Sequence, residues 1–122
     1  MAERRYTFGK QKRVRSKVEF SKVFEAKIRE TRGPLVVYAA PTDHKSPRLG
    51  LSVPRRVGTA PRRNRIKRLL RESFRLMQYD LPRAYDVVIV VRPHEPMILA
   101  EYQRILSATL VKLHQTWEAK SK

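Results

Sequence analysis

The chain has no cysteine among its 122 residues. That excludes a disulfide framework, a thiolate zinc site and a cysteine nucleophile, and it is compatible with a reducing compartment. Glycine is scarce too. There are four, none beside another, so no glycine-rich loop can cradle a phosphate through its backbone. No apolar run approaches the ~20 residues a membrane span needs. The longest, Val87-Val88-Ile89-Val90-Val91, has the length of a strand. The N-terminus is basic without an apolar stretch behind it, so no signal peptide is expected. The three histidines, His44, His94 and His114, are isolated, and no His-x-x-His or paired-carboxylate spacing occurs. Asp80, Asp86, Glu95 and Glu101 are scattered and have ordinary boundary or surface explanations, and Ser52 and Ser73 have no base placed by sequence. The expectation is therefore no catalytic set and no metal site borne by the protein itself.

Acidic residues are the remaining shortage. Eleven Asp+Glu stand against 28 Lys+Arg, a formal charge of +17. A chain this basic repels itself and suits a polyanionic partner, either nucleic acid or an anionic membrane surface. Hydrophobic residues make up 41% of it, enough for a core and too many for a simple basic tail. Its length fits one domain.

The charge concentrates in Arg62-Arg63-Asn64-Arg65-Ile66-Lys67-Arg68-Leu69-Leu70-Arg71-Glu72-Ser73-Phe74-Arg75. Wound as a helix, this stretch sets Ile66, Leu69, Leu70, Ser73 and Met77 on one side. Asn64, Arg65, Arg68, Arg71, Glu72 and Arg75 fall on the other. A solvated surface helix would intersperse acids for i,i+4 pairs, and here only Glu72 interrupts the basic stripe. Arginine at this density suits phosphate, whose oxygens its planar fork can bind two at a time.

Before this helix, residues 1–15 read as a basic flexible arm that would add phosphate contacts on binding. Ser16 offers an N-cap with Glu19 at the capping-box position. The helix that follows has Phe20, Val23, Phe24 and Ile28 on one face, and Thr31-Arg32-Gly33-Pro34 ends it. Phe20 and Phe24 read either as plain core or as a stacking surface for unpaired bases, and Tyr38 has the same two readings. Leu35–Ala40 is expected as one strand. A second has Leu49, Leu51 and Val53 buried and Arg48, Gly50 and Ser52 on its other side. Pro54 limits its pairing. Asp86–Val91, β-branched without alternation, reads as a central strand buried on both faces. A last helix from about Ile98 to Trp117 carries Leu99, Tyr102, Leu106, Leu110, Leu113 and Trp117. The order helix, two strands, helix, strand, helix implies a parallel pair in an otherwise antiparallel sheet. One domain over 16–118 is expected, with 119–122 as a tail.

Leu49-Gly50-Leu51-Ser52-Val53 followed by Arg63-Asn64-Arg65-Ile66-Lys67-Arg68 closely resembles the protein subunit of bacterial ribonuclease P, and Glu19-Phe20-x-x-Val23-Phe24 resembles that family's first helix. The resemblance implies an α/β (α+β) sandwich, a small mixed sheet packed with three helices. It also implies a left-handed βαβ crossover, similar to the second domain of a small-subunit ribosomal protein. It implies a cytoplasmic accessory subunit of an endoribonuclease whose chemistry belongs to a catalytic RNA and its Mg2+ ions. The implied partners are that RNA and precursor tRNA, with no membrane and no obligate protein partner. Carried onto this chain, Arg63, Asn64, Arg65, Lys67, Arg68 and Arg71 face the catalytic RNA. Phe20, Phe24 and Tyr38, with Arg13 and Arg15 of the arm, hold the single-stranded 5′ leader. The competing classes are a structural RNA-binding protein of similar fold, such as a ribosomal protein, and a duplex-DNA binder. The lack of a helix-turn-helix pair argues against the latter.

Overall fold

The computed structural model describes residues 13–14, 16–42 and 45–120. Of the arm expected over 1–15, residues 1–12 and Arg15 lie outside them, as does His44. The first helix, α1, spans Lys17–Glu25. It begins as its sequence demands: the Ser16 hydroxyl accepts from the Glu19 N–H, and the Glu19 carboxylate accepts from the Ser16 N–H. It ends earlier than its apolar spacing suggests. Ala26 is the C-cap and Lys27 takes φ 58°. Ile28, expected on the helix, is buried in a different cluster from Val23.

A strand not expected from the sequence follows. Arg29–Arg32 (β1) pairs antiparallel with Leu35–Pro41 (β2) across a two-residue turn, because Arg32 faces Leu35 in register. Gly33, at φ 57°, supplies the left-handed residue that turn requires. Gly33-Pro34, which the sequence offers as a helix stop, is thus a hairpin turn. The charged sequence of β1 suits an outermost strand, where side chains of this kind discourage pairing with a further chain.

Arg48–Ser52 (β3), the helix Ala60–Met77 (α2), Tyr85–Val91 (β4) and Leu99–Lys120 (α3) complete the domain. The strand order is β1-β2-β4-β3, with β4 antiparallel to β2 and parallel to β3. The parallel pair spans α2, as expected. After β3, Pro54 opens a single 3₁₀ turn over Arg55–Val57, and the Thr59 hydroxyl caps α2 by accepting from the Arg62 N–H.

The sheet is covered on both faces. One face packs Leu35, Val37, Val87 and Ile89 against Ile66, Leu70 and Phe74 of α2 and Tyr102, Leu106 and Leu110 of α3. The other packs Val88 against Val14 and Val23, with Phe20, Phe24 and Tyr38 at its margin. The central position of β4 explains its unbroken apolar run. Two polar groups inside are satisfied locally: Ser73 Oγ donates to the Leu69 carbonyl at 2.8 Å and Thr109 Oγ1 to the Ile105 carbonyl at 2.9 Å. Val14 is 4% exposed, and its N–H donates to the Leu49 carbonyl at 3.0 Å. Arg13 and Val14, on the arm side of the expected boundary, therefore lie against the outer edge of β3.

Candidate nucleic-acid interface

The basic stripe on α2 lies where helical periodicity puts it. Asn64, Arg65 and Arg68 are exposed, while Arg63, Lys67 and Arg71 are half-buried. Arg63 also has a structural duty, since its Nε donates to the Gly58 carbonyl at 3.2 Å and holds the chain entering the helix. Glu72, the one acid of the stripe, is bound by Arg75, Nε to Oε2 at 3.0 Å. That hydrogen bond holds its carboxyl below the usual carboxylate range. Its charge therefore offsets Arg75 rather than Arg68 or Arg71.

Arg71 is held in an environment that disfavours its charge. Burial, and then the nearby Arg13 guanidinium, lower its pKa from the ordinary arginine value. Both disfavour the charged form, and the attraction of an anion set between the two guanidinium groups would oppose them. Arg13 and Arg71 border two openings together. One, of about 400 Å³, adds Asn64, Arg68, Glu72 and Arg75. The other, of about 290 Å³, adds Lys67 from α2, Phe20 from α1, and Gly50 with its neighbours from β3. The second opening joins the basic helix to the aromatic residues.

Those aromatics form a continuous row. The Phe20 and Phe24 rings lie 6.2 Å apart, and Phe24 meets Tyr38 edge-on at 4.8 Å. All three are half-buried. They pack on Val14, Val23 and Val88 and still border open space, so core and stacking surface are two faces of the same side chains. The close seat of Phe20 depends on Gly50. A Cβ at that position would stand 2.8 Å from Phe20 Cζ and 3.0 Å from Val14 Cβ.

Arg48 is the residue that strand alternation misplaces. Alternation sets it on an open side of β3, yet it is 9% exposed. Its guanidinium binds both Asp86 oxygens and reaches Glu19 of α1. The hydrogen bonds to Asp86, then those to Glu19, outweigh the burial penalty and raise its pKa above the ordinary arginine value. Asp86 is accordingly an internal counter-ion, not a surface residue. Only the partners in space reveal this, because Glu19, Arg48 and Asp86 are far apart in the chain.

The two described histidines, His94 and His114, serve packing. His114 Nδ1 lies 2.7 Å from the Tyr85 hydroxyl, and His94 Nε2 lies 2.7 Å from that of Tyr102. Because His94 Nδ1 faces the Arg92 carbonyl at 2.8 Å, its Nδ1 carries the proton and Tyr102 donates to Nε2. Among the described residues, no three of His, Asp and Glu are grouped as metal ligands would be. No helix there is long and apolar enough to cross a membrane.

Comparison with known proteins gives one answer. Residues 8–116 match the family model described as ribonuclease P. The ribonuclease P protein component of Photobacterium profundum is 43% identical over 86 residues, covering 70% of this chain and 72% of that protein. An RNase P protein mutant of Staphylococcus aureus superposes with a TM-score of 0.74 at 27% identity, over 83% of this chain and 86% of that one. The RNase P protein of Thermotoga maritima does so with a TM-score of 0.63 at 28% identity, over 85% and 96%. A match across nearly the whole chain, joined to the sheet order and the Arg-Asn-Arg helix, means that the chain belongs to the family of ribonuclease P protein components.

Proposed function

We propose that the chain binds the catalytic RNA of ribonuclease P through the exposed face of α2. In this reading it also holds the single-stranded 5′ leader of precursor tRNA in the cleft between α1 and the sheet. The observation that carries the proposal is the opening shared by Phe20, Gly50, Lys67, Arg71 and Arg13. It lets one strand pass from aromatic platform to basic helix without leaving the surface. Phe20, Phe24 and Tyr38 stack on bases or sugars, which every nucleotide offers, so leaders of different sequence are accepted. Arg63, Asn64, Arg65, Lys67, Arg68 and Arg71 meet phosphates of the RNA, Arg13 adds a contact at the shared opening, and Arg15 adds charge from the arm.

The work of cutting belongs to the RNA. The residues on this face do not fit a protein-held magnesium ion, which takes oxygen ligands and keeps several waters. The carboxylates beside the basic helix, Glu72 and Glu95, are each engaged by an arginine. Magnesium is accordingly assigned to the phosphates of the RNA. The protein's part is to position the leader and to screen phosphate repulsion with fixed cations.

Reconstitution tests this. RNA with protein should cleave precursor tRNA at magnesium concentrations where RNA alone is slow, and protein freed of RNA should not cleave at any. Cleavage by RNA-free protein, abolished by one acidic or histidine substitution, would end the reading.

A further inference from the structure

The aromatic row crosses the sheet from β3 to β2, where Tyr38 stands in register with Arg29 of the edge strand β1. Phe20 sits over Gly50 of β3, next to α2, and β1 is the outermost strand on the other side. At the β1 edge, Phe24, Lys27, Arg29 and Tyr38 surround a second opening, of about 390 Å³. Arg29 Nη1 donates to the Tyr38 hydroxyl at 3.1 Å, and its guanidinium carbon lies 6.0 Å from the centre of the Tyr38 ring. The hydroxyl accepts there, which leaves its own proton able to donate. Arg29 keeps further N–H donors beyond the one in use. Among the described residues, neither Lys27 nor Arg29 has a carboxylate within ion-pairing distance. Glu30, between them and the sheet's other face, turns to Lys112.

Lys27 reaches the same opening from the end of α1. Its φ of 58° is in the left-handed region, where glycine would sit without strain and lysine does not. The conformation belongs to the end of α1, where the Lys27 N–H donates to the Phe24 carbonyl at 3.0 Å. Here it brings an ammonium group to the rim that Arg29 and Tyr38 already line.

We propose that Lys27, Arg29 and the Tyr38 hydroxyl form a phosphodiester site that grips the RNA strand as it leaves the cleft at the β1 edge. The inference rests on the leader reading of the cleft and extends it. Three donor-bearing side chains around one opening suit the oxygens of one phosphate. The Phe24 ring beside them leaves a wall for the attached base. In the leader reading, the 3′ end of the leader lies on the α2 side, beside the helix assigned to the catalytic RNA. The β1 edge therefore meets nucleotides farther toward the 5′ end. Short leaders do not reach it.

The test uses the protein reconstituted with the catalytic RNA and precursor tRNAs whose leaders grow one nucleotide at a time. Lys27→Gly relieves the strained backbone, and Arg29→Gln keeps an exposed polar side chain, so neither variant should unfold. Arg32→Gln removes the same charge from β1 on the opposite face and serves as the control. Each of the first two should lose about tenfold in affinity, the scale of one charge-assisted hydrogen bond, only once the leader passes a threshold length. Arg32→Gln should match the unsubstituted protein at every length. Equal loss at all lengths, or equal loss in Arg32→Gln, would mean general electrostatics and overturn the site. If Phe20→Ala separates leader-bearing from mature tRNA while Lys27→Gly and Arg29→Gln have no effect, the cleft stands and this site falls. If Phe20→Ala does not separate them, the cleft reading fails and this inference goes with it.

Discussion

Arg48 and Asp86, register partners on adjacent parallel strands, are joined by two hydrogen bonds, Nε to Oδ1 at 2.9 Å and Nη2 to Oδ2 at 2.7 Å. The remaining arm of the guanidinium reaches Glu19, which also caps α1. One buried cation thus fixes the height of α1 above the sheet, and with it the width of the aromatic cleft. Arg48→Met fills much of the same space but leaves Asp86 buried without its partner. The fold should lose roughly 3–5 kcal/mol, the scale for breaking a buried pair from one side. Urea unfolding measures it, and a loss under about 1 kcal/mol would show that α1 is held by packing alone.

Gly50→Ala is a narrower probe of the same cleft. The added methyl would fall 2.8 Å from Phe20 Cζ. Either the ring lifts or the β3 edge shifts, at about 1–3 kcal/mol for overpacking of this kind. Leader-bearing precursor tRNA should bind more weakly while mature tRNA is unaffected. Unchanged discrimination between the two RNAs would mean that Phe20 does not need its seat.

Alkaline pH should loosen the fold through two tyrosines. Burial raises the pKa of Tyr85 above the ordinary 10.0, with Arg83 opposing and Glu118 reinforcing the shift. Burial raises Tyr102 likewise, against the Met97 N–H and Arg65. Above about pH 10 the unfolded chain therefore ionises these phenols before the folded one does. Stability is intact below that value and falls as pH rises toward the folded pKa. Tyr85→Phe and Tyr102→Phe should each flatten the decline in melting temperature as pH rises above about 10, where tyrosine titrates. Each variant also loses a hydrogen bond to histidine, so the slope is the informative quantity. Identical slopes in all three proteins would refute the assignment.

The fold was legible where a local signal sufficed. The Ser16–Glu19 box, the period of α2, and the unbroken run of β4 each announce one structure and form it. The parallel pair of β3 and β4 followed from having a helix between them. β1 was not legible, because Arg29-Glu30-Thr31-Arg32 has no apolar alternation and pairs only by virtue of the Gly33 turn. Arg48 misled for the same kind of reason: alternation assigns a face, but only the third dimension says whether Glu19 and Asp86 wait there. Of the candidate interface, the stripe on α2 was read from charge and period. The union of Arg13, Phe20, Gly50 and Arg71 around one opening needed the folded chain.

The exposed face of α2 should act as a set of separate cations. Arg65 and Arg68 are exposed and, among the described residues, have no carboxylate within ion-pairing distance. Replacing either with alanine should leave stability within about 0.5 kcal/mol, as at other open surface positions. Binding to the catalytic RNA should weaken. The slope of log affinity against log salt should become shallower by about 0.7–0.9 for each phosphate that is no longer neutralised. Arg75 supplies the contrast. It carries the same charge on the same helix, but Glu72 already holds its guanidinium. Arg75→Ala should therefore change the salt slope less than Arg68→Ala does. If Arg75→Ala proves as damaging as Arg68→Ala, affinity follows the helix's net charge, and the geometric face carries no special weight.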